Sequence, residues 1–365
     1  MRKFEVDIDI SVAKTIHTDF YTNPEVFEKS KERIFASCIH YVGDKEMLPE
    51  QNDAYPVQLL SGLLNEPLLL LKDKDNKIKC LSNVCTHRGN LLVDSPCKAR
   101  KLSCKYHGRT FDQDGKMIFM PEFKETKNFP CPADDLVKLP TFEWGNLLFT
   151  SLDTKINPSV YFKEMKARME FFRMDKLERR DDLSKDYTIN ANWALYCENY
   201  LEGFHIPFVH EGLNKELDFS DYNTEIYYPF SSLQLGIANN SDDCFELPNS
   251  SPDYGKDIAA YYFWVFPNMM FNFYPWGLSL NIVQPLTHNK TKVSFITYML
   301  DESKYDSGAG ADLHEVELED EEIVHNVQRG IHSRFYSQGR YSVKRERGTH
   351  HFHRLLAEFI NKPYK

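Results

Sequence analysis

The spacing of hydrophobic and polar positions changes twice along the chain. After Asn23-Pro24, the segment NPEVFEKSKERIFASCIHYV spaces its apolar residues at helical intervals and predicts a helix. From about residue 40 to about residue 155, short apolar runs alternate with polar turns, a pattern typical of β-hairpins. PLLLLKDKDNKIKCLSNVC predicts one pair of strands, RTFDQDGKMIFM predicts another around Asp114-Gly115, and WGNLLFTSLD predicts a closing strand.

Helical and strand patterns are mixed after about residue 156. PSVYFKEMKARMEFFRM and LEDEEIVHNVQRGIHSRF predict helices, the second with acidic residues in its first turn, where the helix dipole favours them. AAYYFWVFPNMMFNFYPWGLSLNIVQPL and TKVSFITYML predict strands of a large sheet. We therefore expect an α+β protein with an all-β domain over residues 41–155 and a larger domain over residues 156–365. The helical segment over residues 1–40 is expected to pack with the larger domain.

Composition and charge exclude several classes of protein. The 365 residues are 42% hydrophobic and 27% charged, which favours a packed core over disorder. A net charge of -10 argues against a general nucleic-acid binder and against docking on anionic membranes. The chain has no apolar run near the length of a membrane span and no apolar secretory signal at its start. We therefore expect a cytoplasmic protein whose eight cysteines are thiols or metal ligands.

Two Cys–His pairs form the first candidate metal site. Cys85-x-His87 and Cys104-x-x-His107 are separated by sixteen residues. Two short loops that each offer a thiolate and an imidazole can hold a binuclear cluster, with both thiolates on one iron and both imidazoles on the other. Such a cluster passes electrons one at a time. A zinc ribbon with Cys₂His₂ ligands is the alternative, and the Cys-x-His spacing counts against it.

These residues resemble the Rieske family, in which C-x-H is followed, after a gap of about this length, by C-x-x-H. The flanking HRG and YHG also match. The resemblance implies a [2Fe–2S] cluster on the four residues. The other cysteines fit no second metal pattern.

A second candidate metal site follows Asn192-Trp193. Glu202, His205 and His210 lie close together in the sequence, and Pro207 between the histidines disfavours a continuous helix. Two histidines and a carboxylate on one face of Fe(II) leave positions open for O₂ and substrate. The spacing of the residues alone does not identify which carboxylate is the third ligand. The acids available further along are Asp312, Glu315, Glu317, Glu319, Asp320, Glu321 and Glu322.

This segment resembles the E/D-x-x-H-x-x-x-x-H iron motif of Rieske oxygenases. The resemblance makes His205 and His210 iron ligands. It makes Glu202 the carboxylate that bridges an iron-ligand histidine to a cluster-ligand histidine of a neighbouring subunit. Aromatic-ring dioxygenases usually carry Asp at that position, so Glu202 is more similar to the choline, carnitine and glycine betaine monooxygenase branch.

The third iron ligand also follows from the resemblance. In that branch, an Asp precedes the Gln of a V-Q-R-G element by eight residues, and this chain has Asp320 followed by Val327–Gly330. Asp320 is therefore the predicted ligand, with Glu319 as the alternative. The histidines of the C-terminal HHFH element, which are His350, His351 and His353, could form a metal tract on their own. They resemble an element of choline monooxygenases with no ligand role, and we predict that they pack structurally.

The resemblance implies a helix-grip-type catalytic domain with an antiparallel sheet, mononuclear Fe(II), and O₂ as co-substrate. It further implies NAD(P)H used through a separate flavin and iron–sulfur reductase, since the chain has no G-x-G-x-x-G unit. In the family, a head-to-tail ring of three subunits brings the cluster of one chain near the iron of the next, so a homotrimer is expected.

Three functions compete for this chain. The first is a monooxygenase that hydroxylates or demethylates a quaternary amine of the choline, glycine betaine or carnitine type. The second is an aromatic-ring dioxygenase or O-demethylase, and the third is a Rieske electron-transfer protein without oxygenase activity. Aromatic side chains facing a cavity could hold a quaternary ammonium group by cation–π attraction. The aromatic candidates are Tyr262, Phe263, Trp264, Phe266, Phe271, Phe273, Tyr274 and Trp276.

Overall fold

The computed structural model describes residues 2–218, 222–239, 244–305, 307–311 and 313–362. The chain forms two compact units. One comprises Met1–Phe35 together with Pro158–Lys365, and the other comprises Ala36–Asn157. The unit Ala36–Asn157 is all-β, and the other unit combines helices with an antiparallel sheet. The predicted fold class is therefore confirmed.

The unit formed by Ala36–Asn157 consists of short antiparallel strands. Its strands are β1 (His40–Asp44), β2 (Asp53–Leu59), β3 (Glu66–Lys72), β4 (Ile78–Ser82), β5 (Cys97–Lys98), β6 (Leu102–Ser103), β7 (Thr110–Phe111), β8 (Met117–Phe119), β9 (Lys138–Leu139), β10 (Thr141–Trp144) and β11 (Leu147–Thr150).

Three sheets make up this β unit. Their strand orders are β1-β11-β10, β5-β2-β3-β4-β9 and β6-β7-β8. The predicted hairpin around KDKDNK is confirmed, because β3 pairs with β4 in the register Leu70↔Cys80. The hairpin around Asp114-Gly115 is confirmed by the pairing of β7 with β8. Gly115 has a φ of +82°, a left-handed conformation that glycine adopts without steric cost.

The other unit carries the helices and the large sheet. Its helices are α1 (Asp19–Thr22), α2 (Pro24–Arg33), α3 (Ser159–Arg168), α4 (Trp193–Tyr200), α5 (Ile206–Val209), α6 (Glu211–Glu216), α7 (Leu313–Gly330) and α8 (Arg347–Asn361). Its strands are β12 (Glu178–Arg179), β13 (Lys185–Ile189), β14 (Asn223–Tyr227), β15 (Ser231–Ile237), β16 (Ile258–Val265), β17 (Met269–Tyr274), β18 (Gly277–Thr287) and β19 (Lys290–Met299).

The large sheet is antiparallel, with the order β12-β19-β18-β17-β16-β15-β14 and with β13 also paired to β19. Every residue of β16 and β17 is buried, so both faces of the central sheet are covered. Within this unit, α4 contacts β18, α8 contacts β14, and α7 packs on α4. This packing places helix residues over one part of the sheet, where the second candidate metal site lies.

Two predicted helices differ in extent from the observed ones. α2 ends at Arg33, and the chain then passes through a short 3-10 turn into β1 instead of continuing as a helix. α7 begins at Leu313, five residues before the predicted start, and ends at Gly330. Apolar spacing marks the middle of a helix better than its ends. Among the described residues, no helix is both long enough and apolar enough to cross a membrane.

Candidate metal centres

Two loops with the same backbone hydrogen bonds carry the first donor set. The amide of Cys85 donates to the carbonyl of Asn90, and the amide of Gly89 donates back to Cys85, at 2.9 and 3.0 Å. The second loop repeats the pattern, since Cys104 donates to Arg109 and Gly108 donates to Cys104, at 2.8 and 3.0 Å. Gly89 and Gly108 have φ values of +71° and +74°. The left-handed glycines close both loops and turn each Cys–His pair to one side.

The four side chains of these loops come together. The rings of His87 and His107 lie 4.7 Å apart between centroids, and Cys85 and Cys104 are both buried. Nδ1 of His87 is buried and has no hydrogen-bond partner among the described residues, so it is free to act as a ligand. Burial, His107 and Arg109 lower the pKa of His87, which favours the neutral imidazole that binds metals. Two thiols beside two imidazoles fit a [2Fe–2S] cluster of the Rieske type.

Arg109 holds the two loops together. Its guanidinium donates to the hydroxyl of Thr86 at 2.8 Å and contacts Asp134 at 3.3 Å, while its side chain is only 3% exposed. It also lies over the rings of Phe123 and Phe129, at 5.7 and 5.3 Å. The positive charge is thus fixed beside the Cys–His loops by contacts from three segments of the unit.

The second donor set is built around a break between two helices. The side chain of Asn192 accepts from the amide of Ala194 at 3.0 Å and starts α4, which ends at Tyr200. Pro207 lies in the first turn of α5, where a missing N–H has no cost, so the proline begins a helix and the interruption comes before it. The single turn of α5 places His205 at one end and His210 at the other.

His205, His210 and Asp320 bring one ligand atom each to a common point. The Nε2 atoms of the histidines are 3.1 Å apart, and Oδ1 of Asp320 lies 3.0 Å from His210 Nε2 and 3.4 Å from His205 Nε2. Ligands on one face of an octahedral metal, with bonds of about 2.1 Å, are separated by about 3.0 Å. The triangle therefore fits a single ion held by two histidines and one carboxylate.

Carboxylates also contact the opposite nitrogen of each histidine. Oε1 of Glu202 is 3.0 Å from Nδ1 of His205, and Oε2 of Glu319 is 2.7 Å from Nδ1 of His210. Such partners fix the tautomer and the ring orientation of a metal-ligating histidine. Glu319, the alternative ligand from the sequence, therefore lies on the outer side of His210, and Asp320 faces the inner side.

Charges within the triad shift its pKa values in opposite directions. Burial disfavours a charge on His205, but Asp320 and Glu202 outweigh it and raise its pKa to about 10. Burial likewise opposes ionisation of Asp320, yet both histidines lower its pKa to about 2. A dense negative environment stabilises a positive charge at this point, either as a proton on histidine or as a cation.

A cavity of about 100 Å³ opens beside the triad. Five tyrosines line it, namely Tyr196, Tyr200, Tyr222, Tyr262 and Tyr274. The acidic residues of its lining are Glu202, Glu317 and Asp320, and polar side chains of the sheet, including Gln234, Asn272, Ser279 and Asn281, form part of the wall. The site thus combines a donor triad, aromatic rings and buried carboxyl groups.

Two segments of the chain match known family models. Residues 174–362, over half of the chain, match the ring hydroxylating alpha subunit (catalytic domain), and residues 39–130 match the Rieske [2Fe-2S] domain. The chain belongs to the Rieske oxygenase alpha subunits. Both metal constellations lie inside the matched segments.

Individual relatives of this Rieske oxygenase are similar over nearly the full chain. Choline monooxygenase, chloroplastic, of Arabidopsis thaliana is 31% identical, covering 97% of this chain and 85% of the relative. The carnitine monooxygenase oxygenase subunit of Escherichia coli (strain K12) is 27% identical, covering 95% of this chain and 94% of the relative. The crystal structure of the quaternary ammonium Rieske monooxygenase CntA with an inhibitor superimposes with a TM-score of 0.74 at 25% identity, covering 97% of each chain.

Of the eight aromatic residues considered from the sequence, only Tyr262 and Tyr274 line the cavity of the Rieske oxygenase. Side chains alternate between the faces of a strand, so Phe263, next to Tyr262, points the other way and packs on Phe273 at 6.0 Å. Trp264 packs on Phe352, at 5.1 Å between ring centroids. Composition alone could not show which of the eight aromatic residues face the cavity and which pack in the core.

The C-terminal histidines of the Rieske oxygenase take separate partners along α8. Nε2 of His350 lies 2.7 Å from the carbonyl of Asp7, and Nε2 of His351 lies 3.0 Å from that of Pro229. His353 contacts the hydroxyl of Tyr341 at 2.6 Å. Each histidine therefore ties α8 to a different segment of the same unit.

Asn199 and Glu317 were assigned no individual role near the triad from the sequence, and Glu319 was considered only as an alternative ligand. Asn199 donates to Oδ1 of Asp320, Glu319 supports His210, and Glu317 lines the cavity. The position of Glu317 three residues before Asp320, on the same helical face, was the available signal. Asp312 lies outside the described residues.

Proposed function

We propose that this Rieske oxygenase hydroxylates or demethylates a small quaternary amine of the choline, glycine betaine or carnitine type, using O₂. The observation that carries the proposal is the cavity beside His205, His210 and Asp320, which is lined by tyrosines and carboxyl groups. Aromatic faces and negative charge attract a quaternary ammonium group, whereas a neutral arene gains nothing from the carboxyl groups. The choline and carnitine monooxygenases among the relatives support the same choice.

In the proposed mechanism, Cys85, His87, Cys104 and His107 hold the cluster, and the histidine–aspartate triad holds the mononuclear iron. When bound, the cluster supplies single electrons and the iron activates O₂. Glu319 orients His210 through its Nδ1, and the tyrosine-lined wall positions the amine beside the triad. Glu202 is proposed as the bridge that connects His205 to a cluster-ligand histidine of a neighbouring subunit.

The proposed assembly is a head-to-tail homotrimer in the cytoplasm, supplied by a separate NAD(P)H-dependent reductase. Exposed aromatic residues lie beside both centres and support a contact between chains. Tyr106, next to the cluster loop residue His107, is 62% exposed, and Phe208, between the two triad histidines, is 81% exposed. Large exposed aromatic side chains are typical of protein interfaces.

The experiment is a substrate panel with purified, iron-loaded and chemically reduced protein. Choline, glycine betaine and carnitine are compared with simple arenes and aryl methyl ethers, and both O₂ consumption and the oxidised product are measured. We expect O₂ consumption coupled to product with at least one methylated amine and with none of the aromatic compounds. Coupled turnover of an aromatic compound alone would contradict the proposal and favour a ring dioxygenase or an O-demethylase.

Iron analysis tests the electron-transfer alternative. An oxygenase requires mononuclear iron in addition to the two irons of each cluster. The Asp320→Ala variant is the matched control, since it should retain the cluster and lose only the third iron. If the wild-type protein bound no more iron than this variant, oxygenase activity would be excluded.

A further inference from the structure

Glu317 is a buried carboxyl group in the wall of the active-site cavity. It lies on α7, one helical turn before Asp320, and is 1% exposed. Its Oε2 accepts a hydrogen bond from the hydroxyl of Tyr196. Within the described part of the chain, its Oε1 has no hydrogen-bond partner. Glu317 thus lines the cavity with one carboxyl oxygen anchored by Tyr196 and the other without a partner among the described residues.

Apart from the two triad histidines, the described cavity lining offers this carboxyl group no basic side chain. Among the described lining residues there is no arginine and no lysine, while the aromatic residues of the lining include Tyr262 and Tyr274. These two rings stand at 78° to each other with centroids 6.0 Å apart, and so form an aromatic corner. An aromatic corner and an unpartnered carboxyl oxygen in the lining of one cavity suit a cation that carries methyl groups.

Burial is the largest influence on Glu317 and raises its pKa well above the usual range. Asp320 and Glu321 act in the same direction, and the hydrogen bond from Tyr196 opposes them. A buried carboxyl group is therefore expensive to ionise unless a positive charge lies beside it. A quaternary ammonium ion supplies that charge by electrostatic contact and leaves the hydrogen bond from Tyr196 to Oε2 undisturbed.

We propose that Glu317 is a specificity-determining residue that serves as the counter-charge for the substrate's ammonium group. The proposal deepens the proposed function and rests on it. It assigns Oε1 of Glu317 to the charged end of the substrate, with Tyr262 and Tyr274 against its methyl groups. Selection of an amine over an uncharged molecule of the same shape then depends on Glu317.

The test compares choline with its neutral isostere, the alcohol in which carbon replaces the quaternary nitrogen. Dissociation constants are measured by calorimetry without O₂, on protein that carries both metal centres, and KM and kcat are measured in parallel. Glu317→Gln keeps the shape of the side chain and removes its charge. Glu315→Gln is the matched control, because Glu315 lies on the same helix and is exposed.

For the wild type and the Glu315→Gln control, we expect choline to bind roughly 10- to 100-fold more tightly than the isostere. In Glu317→Gln this preference should shrink to a few-fold, through weaker choline binding and an almost unchanged affinity for the isostere. The KM for choline should rise with that loss, while bound iron stays at the wild-type level.

Two results would overturn the inference about Glu317. One is wild-type protein that binds the isostere as tightly as choline. This measurement does not depend on the folding of any variant. The other is a Glu317→Gln variant that keeps the full preference. In either case, amine turnover by the wild type would leave the proposed function standing, whereas binding of no methylated amine at all would contradict the proposed function itself.

Discussion

Glu202 and Glu319 allow the bridging role to be separated from simple support of a histidine. Both carboxylates contact Nδ1 of a triad histidine, Glu202 at 3.0 Å and Glu319 at 2.7 Å. Replacing either with glutamine keeps an oxygen that can accept from Nδ1–H but removes its charge. The loss of charge assistance is worth about 1 kcal/mol, or roughly fivefold in iron affinity. Both variants should therefore retain iron when it is supplied in excess.

Electron transfer should distinguish the two variants. If Glu202 connects the triad to the cluster of a neighbouring chain, Glu202→Gln should slow transfer by at least about 100-fold, which corresponds to a barrier increase of about 2.7 kcal/mol. Glu319→Gln should slow it only a few-fold. Glu319 is therefore the matched control, with the same side chain and the same kind of contact.

The assay is a single turnover. Protein with a reduced cluster is mixed rapidly with O₂ and the amine, and reoxidation of the cluster is followed by its visible absorbance. Iron content is measured on the same samples, so that loss of metal is not mistaken for slow transfer. Equal rates of reoxidation in the two variants would refute the bridging role and leave Glu202 as a support for His205 alone.

Three further predictions follow from the two centres. Asp320→Ala should abolish oxygenation and leave the visible spectrum of the cluster intact, because Asp320 belongs only to the triad; loss of the cluster spectrum would contradict this separation. In protein stripped of mononuclear iron, the raised pKa of His205 contributes stability that is complete below pH 6.5 and is lost as the pH rises towards about 10, so the unfolding temperature should fall over that window. A His205→Asn variant that shows the same fall would exclude His205 as its source. Arg109→Gln should destabilise the β unit by about 2 kcal/mol, since it leaves Asp134 without its buried partner, whereas removing the exposed Lys105 should have little effect; thermal unfolding of both variants measures the difference.

Local pattern predicted the hairpins better than the ends of helices. The strands around KDKDNK and around Asp114-Gly115 are set by alternation and by turn residues that lie next to each other in the sequence. The end of α2 at Arg33 depends on where β1 must begin to pair with β11, a contact with a distant segment. Apolar residues beyond Arg33 continue the helical spacing, but tertiary pairing overrides it.

The candidate metal sites were predictable to the extent that their residues lie close in the sequence. The Cys–His loops and the pair His205 and His210 are local motifs, and family resemblance supplied Asp320. The position of Glu317 one turn before Asp320 was a signal, but the separate roles of Glu319 and Glu317 could not be chosen from the sequence, which shows α7 only as an acidic helix. The rotation of α7 against α4 determines which acid faces His210, which faces the cavity and which faces solvent. That rotation is set by the packing of the folded unit.

The distribution of acids on α7 connects metal binding with the choice of substrate. Glu319 and Asp320 contact the triad, and Glu317 lies one turn earlier against the cavity. Together with Glu202, they place four carboxyl groups at the metal site and the cavity beside it. Two neutral histidines add no charge, so a single divalent ion cannot neutralise all four acids when they are ionised. The same helix that completes the metal site therefore places a carboxyl group at the cavity wall, and a cationic substrate is the partner that favours the ionised form of Glu317.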